Sequence, residues 1–127
     1  MKTSIFFKSA EHTQRFLAAM RSTGKMYGGR LDQEYGAALY ILTADLATWQ
    51  KAQAYVDRHG IDIPALLEEV HFSGGYSVLI MLAGNLFNSQ VHIDPVELMR
   101  LDDSNFTVAL TALQVRRASL QVDDFKA

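Results

Sequence analysis

The chain has 127 residues and a net charge of −2, with 49% hydrophobic and 20% charged residues. That length suits a single domain, and that balance excludes an intrinsically disordered protein. The absence of cysteine excludes disulfides and thiolate metal sites, and a pI near 6.0 argues against a dedicated nucleic-acid binder.

The first predicted helix is basic. Ser9 can cap its start, and Gly24 is a typical residue for its end. Residues 1–31 carry six basic side chains and one acidic side chain, a net charge of +5, whereas residues 32–127 carry a net charge of −7. Either this segment packs against the acidic remainder, or it presents a basic face to an acidic partner.

A glycine-containing loop is predicted next, at residues 25–30, because paired glycines interrupt regular structure. Loops on a rigid scaffold often carry binding, and this loop combines charge with an aromatic side chain. The alternative is that its two cations only neutralise the nearby carboxylates of Asp32 and Glu34. The candidate partner-binding residues of the loop are Lys25, Met26, Tyr27 and Arg30.

The second and third helices are predicted to begin at aspartate caps, Asp32 and Asp45. The second carries an apolar stripe that continues to Leu42. In the third, apolar residues recur at helical spacing from Leu46 to Val56, and a histidine and a glycine then give stop signals. We therefore expect this helix to include His59 in its last turn and to end before Gly60.

A short fourth helix beginning near Pro64 is predicted to precede an apolar helix over residues 74–87. The latter is apolar nearly all round, and its uninterrupted part is far shorter than the roughly 20 residues that cross a bilayer. It is therefore predicted to be the central buried helix of a bundle. Gly84 lowers its helix propensity by about 1 kcal/mol relative to alanine, which indicates close approach of a neighbour.

The start of this central helix has two interpretations. In the first, the Ser73 hydroxyl caps the helix, and the glycines after it let a neighbouring helix approach. In the second, free backbone N–H groups hold a phosphate or a carboxylate. The candidate anion- or ligand-binding residues are Ser73, Gly74 and Gly75.

Two further helices complete the prediction. Asp94 and Pro95 start a short helix that ends near Leu101. A cap at residues 102–104 starts the last long helix, which ends at residues 116–117. The residues expected to face the core from this helix are Phe106, Ala109, Leu110 and Leu113.

These elements predict an all-α class: a compact bundle of five to six helices around the central apolar helix at about residues 74–87. Residues 1–127 are expected to form one domain, with a partly mobile tail after about residue 118. We find no internal repeat. The only plausible strand is residues 4–7, which has no partner.

The sequence offers little catalytic signal. Glu68 and His71 have the Glu-x-x-His spacing of di-iron helices, but there is no second such pair to complete a site. No nucleophile elbow and no phosphate-binding glycine motif is present. We therefore expect no metal and no cofactor.

Several segments resemble a family of small helical bacterial proteins, classed as a domain of unknown function and found mainly in Gram-positive genomes. The resembling residues are Glu11, His12, Arg15 and Phe16, and the segments 34–43, 85–88 and 101–110. The resemblance covers about residues 5–117 and implies a helical fold, but it carries no site residues. The pair Gly74 and Gly75 and the loop before Leu31 depart from the family pattern.

Three functions are compatible with these features. We expect a non-enzymatic, cytoplasmic helical module that binds another protein or a second copy of itself. The competing function is binding of a small ligand or anion at the start of the central helix. The third is an enzyme whose catalytic residues come from distant segments. Nucleic acid and membranes are not expected partners.

Overall fold

Six α-helices form most of the part of the chain that the structure, a computed structural model, describes: residues 5–125. They are α1 (Ala10–Ser22), α2 (Gln33–Leu42), α3 (Leu46–Ala52), α4 (Ile63–Glu69), α5 (Gly74–Asn88) and α6 (Asp103–Arg117). Three short 3-10 helices cover Gln53–Tyr55, Pro95–Arg100 and Val122–Phe125. The predicted all-α bundle is confirmed.

Side-chain caps fix most helix starts. Ser9 accepts a hydrogen bond from the backbone N–H of His12 at the start of α1, as predicted. Asp32, Asp45 and Asp102 cap α2, α3 and α6 in the same way, and Asp62 caps α4. Each cap satisfies one of the backbone donors that a helix leaves unpaired in its first turn.

The structure corrects the predicted absence of strand pairs, because it contains two small antiparallel hairpins. In the first, β1 (Met26–Tyr27) pairs with β2 (Arg30–Leu31). In the second, β3 (Val56–Asp57) pairs with β4 (Gly60–Ile61). Strands of two residues are too short to show a period of two in the sequence.

Each hairpin and the helix that follows it form a unit, and the two units are connected alike. Each hairpin leads directly into an aspartate cap and a helix. The N–H of Asp32 donates to the carbonyl of Lys25 at 3.0 Å, and the N–H of Asp62 donates to the carbonyl of Tyr55 at 3.0 Å. The second unit therefore reproduces the backbone connections of the first.

The third predicted helix is too long, because α3 ends at Ala52. Leu46, the first residue of the predicted apolar series, is 52% exposed. The Asp57 carboxylate accepts hydrogen bonds from the backbone N–H groups of His59 and Gly60, at 2.7 and 3.1 Å. These bonds form the tight turn of the second hairpin, and the apparent helical spacing continues into it by coincidence.

Helix α2 shares the centre of the bundle with α5. All residues from Tyr35 to Leu42 are buried, and α2 packs most extensively against α5 and α6. The first turn of α5 reaches the surface, although Val78, Leu79 and Ile80 are buried. The more enclosed of the two central helices is therefore α2.

The segment after residue 118 lies against the first hairpin. Leu120 is buried, and its carbonyl accepts from the N–H of Leu31 at 3.0 Å. The N–H of Val122 donates to the carbonyl of Gly29 at 2.7 Å. As far as Val122, this segment adds an extended edge to the hairpin.

A buried histidine ties α1 to α2. The imidazole of His12 accepts from the backbone N–H of Lys8 through Nδ1 at 3.1 Å, and Nε2 lies 2.9 Å from the carbonyl oxygen of Tyr40. Because a backbone N–H can only donate, Nδ1 must be unprotonated and Nε2 must carry the proton. Burial lowers the pKa of His12 to about 4.

Residues of helix α4 and of the connector after α5 both pack closely against Gly84. A Cβ at this position would lie 2.8 Å from Cγ2 of Ile63 and 2.8 Å from Cγ2 of Val91. Real Cβ atoms do not approach other carbons so closely, so the absence of a side chain is a packing requirement. The close neighbour that the sequence indicates is thus present.

We predict that Gly84→Ala lowers the free energy of unfolding by about 1–3 kcal/mol, because Ile63 and Val91 must move to admit the methyl group. Denaturant unfolding measures the change. Gly75→Ala is the matched control: it adds the same methyl group to the same helix, where the nearest atom is 4.0 Å away. It should leave stability unchanged or higher, and an equal loss in both variants would contradict the packing argument.

The second prediction concerns pH. The folded-state pKa of His12 lies below its ordinary value of 6.5, so the unfolded chain takes up a proton more readily as the pH falls from 6.5 towards 4. The contribution of His12 to the free energy of unfolding is therefore fully present above pH 6.5, and it falls by about 3 kcal/mol as the pH approaches 4. Urea unfolding of His12→Gln should show a correspondingly shallower acid loss, whereas the exposed control His92→Gln should follow the parent protein. Parallel pH profiles for all three proteins would reject the assignment.

Candidate functional site

A flank of α6 that carries two leucines points outward. We expected Phe106, Ala109, Leu110 and Leu113 to face the core, and this is wrong for the two leucines, which are 46% and 40% exposed. Phe106 is half-buried and Ala109 is buried. The core side of α6 consists mainly of smaller residues, among them Val108, Ala112 and Val115.

Close helix packing explains this choice of face. A Cβ at Gly36 of α2 would lie only 3.3 Å from Cγ1 of Val115. At such a separation, small and β-branched side chains fit between α2 and α6 where leucines would not. The close contact with α2, and not the hydrophobicity of the side chains alone, therefore decides which side of α6 is buried.

Exposed apolar side chains also occur on an element that packs against α6. Among the residues whose exposure the structure describes, seven large apolar side chains are exposed, and four of these lie on two elements that pack together, α6 and the Pro95–Arg100 helix. On the latter, Val96 is 66% exposed and Met99 is 64% exposed. Grouped exposure of this kind is typical of an interaction surface, whereas single exposed apolar residues need no explanation.

Opposite charges stand at the two ends of this flank. Asp103 lies in the first turn of α6 and Arg117 in the last, and both are exposed. Within the described part of the chain, the only ion pair joins Arg100 and Glu97, at 3.0 Å. Both end charges are therefore available to a partner. We call Asp103, Phe106, Leu110, Leu113 and Arg117 the α6 face.

The candidate anion site lies at the first turn of α5. Ser73 occupies the cap position, but its hydroxyl makes no capping hydrogen bond, which corrects the predicted role of this side chain. Gly74 and Gly75 begin the helix. The structure brings two polar groups to them that are remote in sequence, the guanidinium of Arg100 and the amide of Asn105.

The candidate partner-binding loop is the first hairpin. Tyr27 is 54% exposed, Arg30 is exposed, and Met26 is half-buried. The ammonium group of Lys25 lies 4.6 Å from the ring centre of Tyr35, a cation–π contact. Among the described residues neither cation of the hairpin forms an ion pair, so the proposed neutralisation of Asp32 and Glu34 is not seen.

The sequence did not indicate a groove of about 610 Å³ between the second hairpin and the end of α5. Its polar lining includes Tyr55, Asp57, His59, Asp62, Asn88 and Gln90. Gln90 donates to the carbonyl of Ile61 at 2.7 Å and accepts from the N–H of Ile63 at 3.2 Å, so both the nitrogen and the oxygen of this amide bind within the fold. The carboxylate of Asp57 is likewise held by its turn.

A second depression of about 440 Å³ contains both residues of the Glu-x-x-His pair, Glu68 and His71. Over residues 5–125, histidine, aspartate and glutamate side chains nowhere gather in a group of three able to hold a metal ion. In the same range, no helix has both the length and the apolar character needed to cross a membrane.

Comparisons with known proteins add no further guide. No protein family, no curated protein and no solved structure matches the chain.

Proposed function

We propose that the protein is a non-enzymatic interaction module that associates with a second copy of itself through the α6 face. The observation that carries this proposal is the outward position of Leu110 and Leu113 on a helix whose two ends carry opposite, unpaired charges. Exposing these leucines to water is unfavourable, and burial between two copies would relieve it.

The face is complementary to itself. Its five residues are spaced alternately by three and four positions, which is the spacing of a helix seam that packs on another helix. Leu110 is the midpoint between Asp103 and Arg117. If two copies of α6 lie antiparallel about a two-fold axis near Leu110, Asp103 of each copy lies near Arg117 of the other. A two-fold interface requires this kind of self-matching surface.

The expected association is weak. A helix of this length is about 22 Å long, and stable complexes bury roughly 800 Å² on each partner. One helix face supplies only part of that area, so the neighbouring Val96 and Met99 are expected to contribute. Exposed charge pairs at the ends add about 0–1 kcal/mol each and mainly set the orientation. We expect a reversible dimer that forms at micromolar concentrations or above.

The proposed association takes place in the cytoplasm, since a chain without cysteine suits a reducing compartment. The first hairpin is the proposed site for a different protein partner, because Tyr27 and Arg30 remain exposed there and lie on a different element from the α6 face. A negative net charge does not favour nucleic acid as that partner.

Sedimentation equilibrium over a range of protein concentrations tests the proposal. We predict that Leu110→Glu with Leu113→Glu weakens self-association at least tenfold, because carboxylates would replace the apolar centre of the interface. Leu46→Glu is the control, since it places one such carboxylate at another exposed leucine. A parent protein that stays monomeric at all concentrations, or an equal effect of the control, would contradict the proposal.

The charge pairing is tested by reversal. Asp103→Lys alone and Arg117→Glu alone each place like charges together and should weaken the dimer, whereas the two changes combined should restore it. Urea unfolding under dilute, monomeric conditions separates this effect from the helix-dipole cost of each change. Additive weakening in the double variant would rule out the antiparallel arrangement.

A further inference from the structure

The first turn of α5 holds backbone donors without a side-chain cap. The first N–H groups of a helix have no acceptor within it, and the hydroxyl of Ser73 does not supply one. Gly74 and Gly75 carry no side chains, so the surface above these donors stays open. With 15 residues, α5 is long enough for its dipole to favour an anion at this end.

An independent feature points to the same place. Asn105 of α6 is only 7% exposed, and its Oδ1 accepts from the ammonium group of Lys8 at 3.2 Å. This bond orients the amide so that Nδ2 lies 4.0 Å from the position of a Cβ at Gly75. Nδ2 has no hydrogen-bond acceptor among the described residues. Since every fully buried polar side-chain atom of these residues has a hydrogen-bond partner, Nδ2 must be in contact with solvent.

A cation completes the set of donors. Nη1 of Arg100 is bound to Glu97 at 3.0 Å, whereas Nη2 lies 4.0 Å from the position of a Cβ at Gly74. Donors from three elements thus lie near the two glycines: the start of α5, the end of the Pro95–Arg100 helix and the first turn of α6. An acceptor for these groups is missing from the described residues.

We propose that this opening, formed by Gly74, Gly75, Arg100 and Asn105, binds a phosphate-type oxyanion. Donors arriving from three directions suit a tetrahedral group with several oxygens better than a planar carboxylate. Backbone N–H groups, the amide nitrogen and the guanidinium would each donate to an oxygen of the anion. None of these four residues belongs to the α6 face.

Nearby acids set the strength of binding. The pKa of Tyr76 is raised, chiefly by burial and further by the carboxylates of Asp45 and Asp102. These carboxylates are therefore close enough to oppose an anion at the first turn. The ammonium group of Lys8, which donates to Asn105, is a positive charge that favours binding of an anion. We expect millimolar affinity for inorganic phosphate and tighter binding of a larger phosphorylated molecule.

The first test is a titration of the full chain with inorganic phosphate, followed by ¹H–¹⁵N NMR at constant ionic strength. The expected result is a saturable shift of the amide signals of Gly74, Gly75 and Tyr76 and of the side-chain amide of Asn105. Sodium acetate, titrated in the same way, distinguishes a carboxylate. Shifts that do not saturate, or that acetate reproduces at equal concentration, would overturn the assignment.

Two variants sharpen the test. Asn105→Asp replaces the free donor by an acceptor and should weaken phosphate binding at least tenfold. Gly75→Ala puts a methyl group into the opening while the helix is kept, and it should weaken binding severalfold even if Asn105→Asp folds poorly. Arg58→Gln, at an exposed position on the second hairpin, is the control for a general loss of positive charge and should bind phosphate normally. Parent-like binding by Gly75→Ala and Asn105→Asp would reject the site.

Discussion

The enclosure of α2 is the constraint on which the rest of the structure depends. From Tyr35 to Leu42 this helix has no solvent-facing side, so it is stable only if other elements cover every part of it. Helices α5 and α6 provide most of this cover, and α1 adds more through the contact between His12 and Tyr40. The first hairpin closes the start of α2, because Asp32 is both the residue after the hairpin and the helix cap.

This enclosure has a consequence for the surface. Because α2 and α6 approach closely at Gly36 and Val115, the side of α6 that packs on α2 must carry small or β-branched residues. The larger Leu110 and Leu113 are then left on the outer flank. The apolar surface that we assign to self-association is thus the counterpart of the tight packing inside, and one helix serves the core with one side and a partner with the other.

The sequence predicts features that depend on local chemistry. The caps at Ser9, Asp32 and Asp102 are recognisable because a cap needs only one side chain and the next few backbone N–H groups. The hairpins are not recognisable, since two-residue strands have no measurable period. The end of α3 at Ala52 is missed because the following residues happen to continue the helical spacing. The outward flank of α6 is missed because it is decided by the distance to another helix.

The same distinction holds for the candidate sites. Gly74 and Gly75 are predicted from the start of an apolar helix, but Arg100 and Asn105 join them only through the tertiary fold. Likewise, Lys25 and Tyr27 are recognisable as a charged aromatic loop, whereas the contact of Lys25 with the ring of Tyr35 depends on the hairpin. Residues of one site that lie far apart in sequence leave no local signal.

The most direct measurement of the central claim uses the absence of cysteine. In an antiparallel pair, a single cysteine near the two-fold axis lies close to its own copy, within the roughly 4.4–6.8 Å between Cα atoms that a disulfide spans. The account predicts that Leu110→Cys forms a disulfide-linked dimer under mild oxidation much faster than the exposed reference variant Arg58→Cys on the second hairpin. Equal rates of cross-linking at the two positions would contradict the claim that α6 faces a second copy.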